Sequence, residues 1–172
     1  MKTFKHFINE NPQLDSASQK FVDRNIDRNE IEKYHKRSSH IGNNNYHFNI
    51  GNNHYYYHRD DKGIGEFSHI ENNVHKLTSK GPNGNSKHIK DFIYYHTNKH
   101  GKVDSYETNS LGAKHLWKSI AKQHPDNMKL YHVNTKTGEE HHATPEHLDK
   151  HENEIWNKDK ESRNHILSLR KT

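Results

Sequence analysis

Only 27% of this chain is hydrophobic, and it has no cysteine to cross-link whatever core it builds. An ordinary globular domain is about 45–50% apolar when glycine is included. The sequence must therefore fold around a few large side chains. It has them: nine tyrosines, six phenylalanines and two tryptophans in 172 residues, each able to bury a large area. The absence of cysteine removes disulfide frameworks, thiolate zinc sites and cysteine nucleophiles. No apolar run reaches the roughly 18 residues of a membrane span.

Much of the remainder is histidine and asparagine. Histidine fills 19 positions and asparagine 21, against 27 Lys plus Arg and 22 Asp plus Glu, a formal charge of +5. With a histidine pKa of about 6.5, roughly a quarter of the imidazoles are charged at pH 7, adding about 4 to 5 positive charges. The chain is basic at neutrality and more so in mild acid, which favours polyanions and nucleic acid first. Placed on the expected elements, most asparagines mark turns and most histidines fall on exposed faces.

Residues 1–10 carry Phe4, Phe7 and Ile8 at helical spacing, an amphipathic peptide set off by Asn11-Pro12. A second helix is expected over 15–36. The period then changes to two, predicting strands over 45–50, 54–59, 64–70 and 74–77 with turns at 51–53, 60–63 and 72–73. Lys80–Ser86 is a loop, and Ile89–Thr97, with Phe92-Ile93-Tyr94-Tyr95, is the strongest strand candidate. A strand at 102–106, a helix over 111–122, a hairpin of 128–133 with 139–143, a helix from Thr144-Pro145 to about Lys158 and a strand at 165–169 complete the order. These elements predict an α+β fold: one domain over 11–172, a mostly antiparallel sheet, two N-terminal helices and two helices in the C-terminal half.

The opening Met1-Lys2-Thr3-Phe4, followed by Phe7-Ile8 and Ile8-Asn9-Glu10, resembles the capsid-targeting peptides of internal head proteins in T4-type tailed phages. The resemblance implies cleavage between Glu10 and Asn11, partners among phage capsid or other virion proteins, and localisation to the virion, then to the host cytoplasm on ejection. It implies a protein that acts by binding nucleic acid or a host or virion protein rather than by catalysis. There is no secretion signal. A structural capsid or tail subunit is the alternative within the same setting.

The order helix, helix, antiparallel strands, helix, strand, helix, strand is also similar to acetyltransferases of the GNAT family, which implies acetyl-CoA as cofactor. That family's phosphate-binding loop would fall at Asn109-Ser110-Leu111-Gly112-Ala113, where only Gly112 and Ala113 suit the pattern.

Four constellations carry possible chemistry. His141, His142, His147 and His151 form the densest imidazole group, and His147 and His151 share a helical face at the i,i+4 spacing of a divalent metal site. Leu148 stands where a metalloprotease helix needs glutamate. Glu140-His141-His142, with Asn157 and His165, is loosely similar to the ββα-metal fold of HNH nucleases, which implies a metal-dependent nuclease as an alternative. His54, Tyr56 and His58 share one strand face, read as an outer sheet face opposite core residues Tyr55 and Tyr57 or as a surface for stacking bases and binding phosphates. Lys87, Lys90, Lys99, Lys102, Lys114 and Lys118 make the most basic segment and the candidate nucleic-acid surface.

Overall fold

The structure, a computed structural model, describes residues 28–79, 87–106, 111–156 and 164–172. In chain order the elements are α1 (Arg28–Tyr34) and a 3-10 turn at His35–Arg37, then β1 (Ser39–Gly42), β2 (Asn45–Ile50), β3 (Asn53–Asp60), β4 (Gly63–Glu71) and β5 (Val74–Ser79). They continue with α2 (Lys87–His100), β6 (Lys102–Ser105), α3 (Leu111–Lys122), β7 (Met128–Asn134), β8 (Glu140–His142), α4 (Pro145–Lys150), α5 (Glu152–Trp156) and β9 (His165–Lys171). The class is α+β and the pairing mostly antiparallel, as expected; β5 with β6 is parallel. Among the described residues no helix is long and apolar enough to cross a membrane.

The chain divides into two compact units. Among the described residues, the first takes those from Arg28 to Asn72 with Lys76–Ser79 and Lys87–Phe92, and the second takes Asn73–His75 with those from Ile93 to Thr172. Strand order is β1-β2-β3-β4-β5 in the first and β5-β6-β9-β7-β8 in the second, with β5 and α2 shared across the division.

The first unit is a meander closed by asparagine turns. Asn43-Asn44 has φ of 50° and 57°, and Asn72-Asn73 has 50° and 64°. Those are the left-handed φ pairs of type I′ hairpins, whose twist matches the flanking strands. Ile31, Phe48, Tyr55, Tyr57, Ile64 and Phe67 form a buried cluster with Tyr34 and Tyr46 against it. Tyr57 is fully buried, and its hydroxyl lies 2.9 Å from His35 Nδ1.

Two expectations are corrected in this unit. Tyr56 does not lie on an outer face: it is fully buried, stacked on His47 at 4.6 Å and on Phe92 at 5.9 Å between ring centroids. The segment expected as the strongest strand is the 14-residue helix α2. Its buried residues Ile89, Phe92, Ile93, His96 and Thr97 recur at i, i+3, i+4, i+7 and i+8, one helical stripe. The β-favouring run Phe92–Tyr95 masked that period, and tertiary burial overrode local propensity.

The second unit sets α3 and the short helices α4 and α5 with the strands β6, β9, β7 and β8. Leu116, Trp117, Ile120, Met128, Leu130, Leu148, Ile155, Leu167 and Leu169 are buried. Thr144 caps α4 as its residue type predicts: its hydroxyl accepts from the His147 amide at 3.1 Å, with Pro145 in the first turn. The single helix expected from 144 to about 158 is instead two, interrupted at His151 (φ −104°, ψ 22°). With α2 counted, the C-terminal half holds four helices among the described residues rather than two. Met1–Glu10, the Glu10–Asn11 bond and the loop at 80–86 lie outside the described residues.

Candidate metal centre

Strand register decides which histidines of the second unit meet. His132 on β7 sits opposite His141 of β8, and Asn134, two residues on, sits opposite His165 of β9. Residues two apart on a strand share a face, so His132, His141 and His165 project to one side. Tyr131 pairs with His142, which sends His142 to the opposite side. Helices α4 and α5 supply the other wall, with His147, His151 and Glu154 at i, i+4 and i+7.

The resulting cluster is tight. His132 Nδ1 lies 2.9 Å from His147 Nε2, and His132 Nε2 lies 2.8 Å from His165 Nδ1. The His147 and His151 rings stack at 4.3 Å between centroids. His151 Nδ1 stands 3.1 Å from Glu154 Oε2. One ligand atom each from His132, Glu154 and His165 falls within 4.8 Å of the others.

Electrostatics keep His132 and His147 neutral. His132 is buried, and that burial, followed by the neighbouring His165, His147 and His151, pushes its pKa down to about 4. Burial also lowers His147, with His151 and His141 adding to it. Glu154 is held below the usual carboxylate range, first by its contact with His151. At neutral pH His132 and His147 therefore offer imidazole lone pairs, and Glu154 a carboxylate, without prior deprotonation. That nitrogen-rich, thiolate-free donor set suits borderline divalent ions such as zinc, nickel or copper(II) rather than calcium or magnesium.

Of the four expected metal ligands, the structure brings His147 and His151 into the cluster. His141 stays at its rim, exposed, 5.5 Å from His147 between ring centroids, with its Nε2 on Glu139 Oε1 at 2.8 Å. His142 is apart: with His124, Asp126, Lys129 and Thr144 it lines a separate cavity of about 400 Å³. His132 and Glu154 were not among the sequence candidates, and His165 entered only through the nuclease resemblance. Glu154 lies seven residues beyond His147 on the same stripe, a signal that was there to be read. His132 and His165 are 33 residues apart, and only the β7–β9 register joins them.

Of the nuclease candidates, His165 joins this cluster and His141 stays at its rim. The Glu140 carboxylate is gripped by Arg170 through two contacts, at 2.9 and 2.6 Å. His141 is on Glu139, His165 opens a strand, and Asn157 lies outside the described residues. Of the acetyltransferase candidates, Asn109 and Ser110 also lie outside them, while Leu111 opens α3.

Three of the six lysines of the basic segment sit beside carboxylates. Lys102 Nζ is 2.7 Å from Asp104, Lys118 Nζ is 2.7 Å from Asp149, and Lys114 pairs with Glu152. Lys114 and Lys118 also lie over the Trp156 ring, at 5.9 and 5.8 Å from its centroid. Lys99 lies over Tyr95 at 5.8 Å, and Lys87 and Lys90 stand on the first turn of α2.

Comparisons with protein-family models, with curated proteins and with solved structures found no match.

Proposed function

We propose that this is a metal-binding protein whose second unit takes one divalent ion of the zinc class. The observation that carries the reading is the convergence of His132, Glu154 and His165 within 4.8 Å. Their spacing must change little to fit an ion. Two nitrogens on a tetrahedral zinc stand about 3.3 Å apart, against 2.8 Å between His132 Nε2 and His165 Nδ1. The proton shared by that pair occupies the place the ion would take. The test is calorimetric titration of the chelator-treated full chain with zinc chloride at pH 7. One ion per chain at micromolar or tighter affinity supports the reading; absence of saturable binding removes it.

A GNAT-like ancestry of the fold is a second reading, favoured by one correction. With α2 a helix, the chain runs antiparallel strands, helix, strand, helix, strand through β1–β5, α2, β6, α3 and β7. That is the order the resemblance calls for. Kinship of fold does not carry activity; saturable calorimetric binding of acetyl-CoA would extend the reading to a cofactor, and its absence would leave it to the fold alone.

A virion role rests on Met1–Glu10. Chains beginning at Asn11 in purified particles would support it, and Met1 intact on every packaged chain would remove it.

A further inference from the structure

We propose that the metal centre is an open one: His132, His165 and Glu154 are its three protein ligands, and its remaining position takes a water or a small anion. The inference rests on the metal-binding reading and goes beyond it in assigning each imidazole a role.

The division follows from how the nitrogens are used. His132 has two. Its Nε2 faces His165 Nδ1 at 2.8 Å, and its Nδ1 faces His147 Nε2 at 2.9 Å. If Nε2 gives its lone pair to the ion, Nδ1 carries the proton and donates it to His147 Nε2. A metal-bound imidazole almost always donates its second N–H to a fixed acceptor, which sets its tautomer and ring angle. Here that acceptor is another imidazole.

Glu154 has an imidazole beside it as well. Its Oε2 stands 3.1 Å from His151 Nδ1, an ion-pair distance without hydrogen-bond geometry, so a small turn of either group on metal binding brings an N–H of His151 onto the carboxylate. His147 thus directs one nitrogen to a ligand, and His151 holds one beside a ligand, rather than at the ion. They stack on one another at 4.3 Å, which braces both. Neither belongs to the three-residue group whose ligand atoms converge.

Three protein ligands leave zinc a fourth position, as sites that keep exchangeable water do, whereas closed structural sites supply four. Glu154 is exposed while His132 is buried. The carboxylate therefore reaches the ion from the solvent side, and the vacant position opens toward water. The ligand class is a small donor that can replace that water: hydroxide, azide, thiocyanate or a carboxylate.

The experiment loads the chelator-treated full chain with cobalt(II) and follows its visible d–d absorption. Cobalt should bind at one ion per chain, and azide should shift the bands saturably. His132→Leu, His165→Leu and Glu154→Leu should each lose binding. His147→Leu and His151→Leu should keep one ion per chain and weaken binding about 10- to 100-fold. His147→Gln, which retains an acceptor, and His151→Gln, which retains a donor, should restore it to within a few-fold. Bound cobalt whose spectrum ignores azide would overturn the open centre and leave the metal-binding reading standing. Loss of all binding in His147→Gln, with circular dichroism unchanged, would make His147 a ligand and overturn the assignment. No cobalt bound to the parent chain would overturn both.

Discussion

The β2–β4 ladder of the first unit and the β7–β9 wall of the second both bury imidazoles, and they satisfy them differently. In the ladder the partners are amides. His58 Nδ1 meets Asn45 Oδ1 at 2.9 Å, and His69 Nε2 meets Asn53 Oδ1 at 2.8 Å. An amide oxygen only accepts, so each contact fixes which nitrogen carries the proton. In the wall the partners are other imidazoles, His132 with His147 and with His165. Either member can donate or accept, so the protons of the chain can reverse together. The first arrangement makes histidine a structural hydrogen-bond donor. The second leaves lone pairs that a metal ion can recruit. The ladder has one imidazole pair of its own, His47 with His54 at 2.9 Å, but among the described residues of that unit no carboxylate joins it in a convergent group.

The comparison breaks most decisively on metal stoichiometry. His132→Leu should abolish zinc binding, and His58→Leu should leave one ion per chain at unchanged affinity, both read by calorimetry. Equal loss in the two variants would mean that amide-fixed and imidazole-fixed histidines are not distinct in function.

Acid should separate the regions next. Burial pushes His75, in the second unit, down to about 4, and His132 is displaced as far. A histidine lowered in the folded state is neutral there while the unfolded chain protonates near 6.5. Between about 6.5 and 4 the unfolded state binds more protons, so stability is complete above that window and is lost as pH falls through it. For His75 the full displacement corresponds to about 3 kcal/mol. In metal-free protein, urea unfolding should weaken by that order from pH 7 to pH 4, and His75→Gln should flatten the dependence. Amide exchange should accelerate in β7 and β9 before β2 and β3. The reverse order would count against the second unit as the acid-labile one.

Removing an amide tests the ladder itself. Asn45 is buried, and Asn45→Ala leaves His58 Nδ1 without its acceptor. A fully buried donor stripped of its partner costs about 1–3 kcal/mol, and His58 is only partly buried. The expected loss in unfolding free energy is therefore about 1 kcal/mol, with zinc affinity unchanged. Asn45→Asp, which keeps an acceptor, should lose less.

The sequence was most readable where local chemistry decides structure. Thr144-Pro145 opens α4, the asparagine pairs turn the hairpins, and period-two runs become β2, β3 and β4. It was least readable where two signals compete or where distant strands meet. Phe92–Tyr95 is β-favouring by composition, yet Ile89, Phe92, Ile93, His96 and Thr97 form a helical stripe, and burial of that stripe decided the outcome. Two of the five cluster residues were legible, since His147 and His151 share a helix face by spacing alone, and neither is among the three whose ligand atoms converge. His132 and His165 join it through strand register, which no local pattern encodes. The expectation of surface histidines has exceptions: His69, His75, His96 and His132 are buried, whereas His40, His100, His115, His141 and His142 are exposed. Asparagine makes some of that burial possible, because Asn53 and Asn73 accept from His69 and His96 at 2.8 Å. The excess of the two residue types is in part a paired interior chemistry.

The smallest expected effect concerns the lysines beside the metal wall. Lys118 is 2.7 Å from Asp149 and 3.8 Å from Glu152, and its ammonium lies over Trp156. Asp149 is 70% exposed, so water screens most of that attraction. Such pairs contribute about 0.2–1 kcal/mol. Lys118→Met keeps the aliphatic stem that covers the ring and removes only the charge. Thermal unfolding should shift by less than a few degrees, and added salt should erase the difference. A larger, salt-insensitive loss would mean that the ammonium over Trp156, rather than the carboxylates, fixes α3 against α4 and α5. Zinc affinity of the same variant should then fall as well, because His151 and Glu154 ride on the helices that Lys118 would be holding.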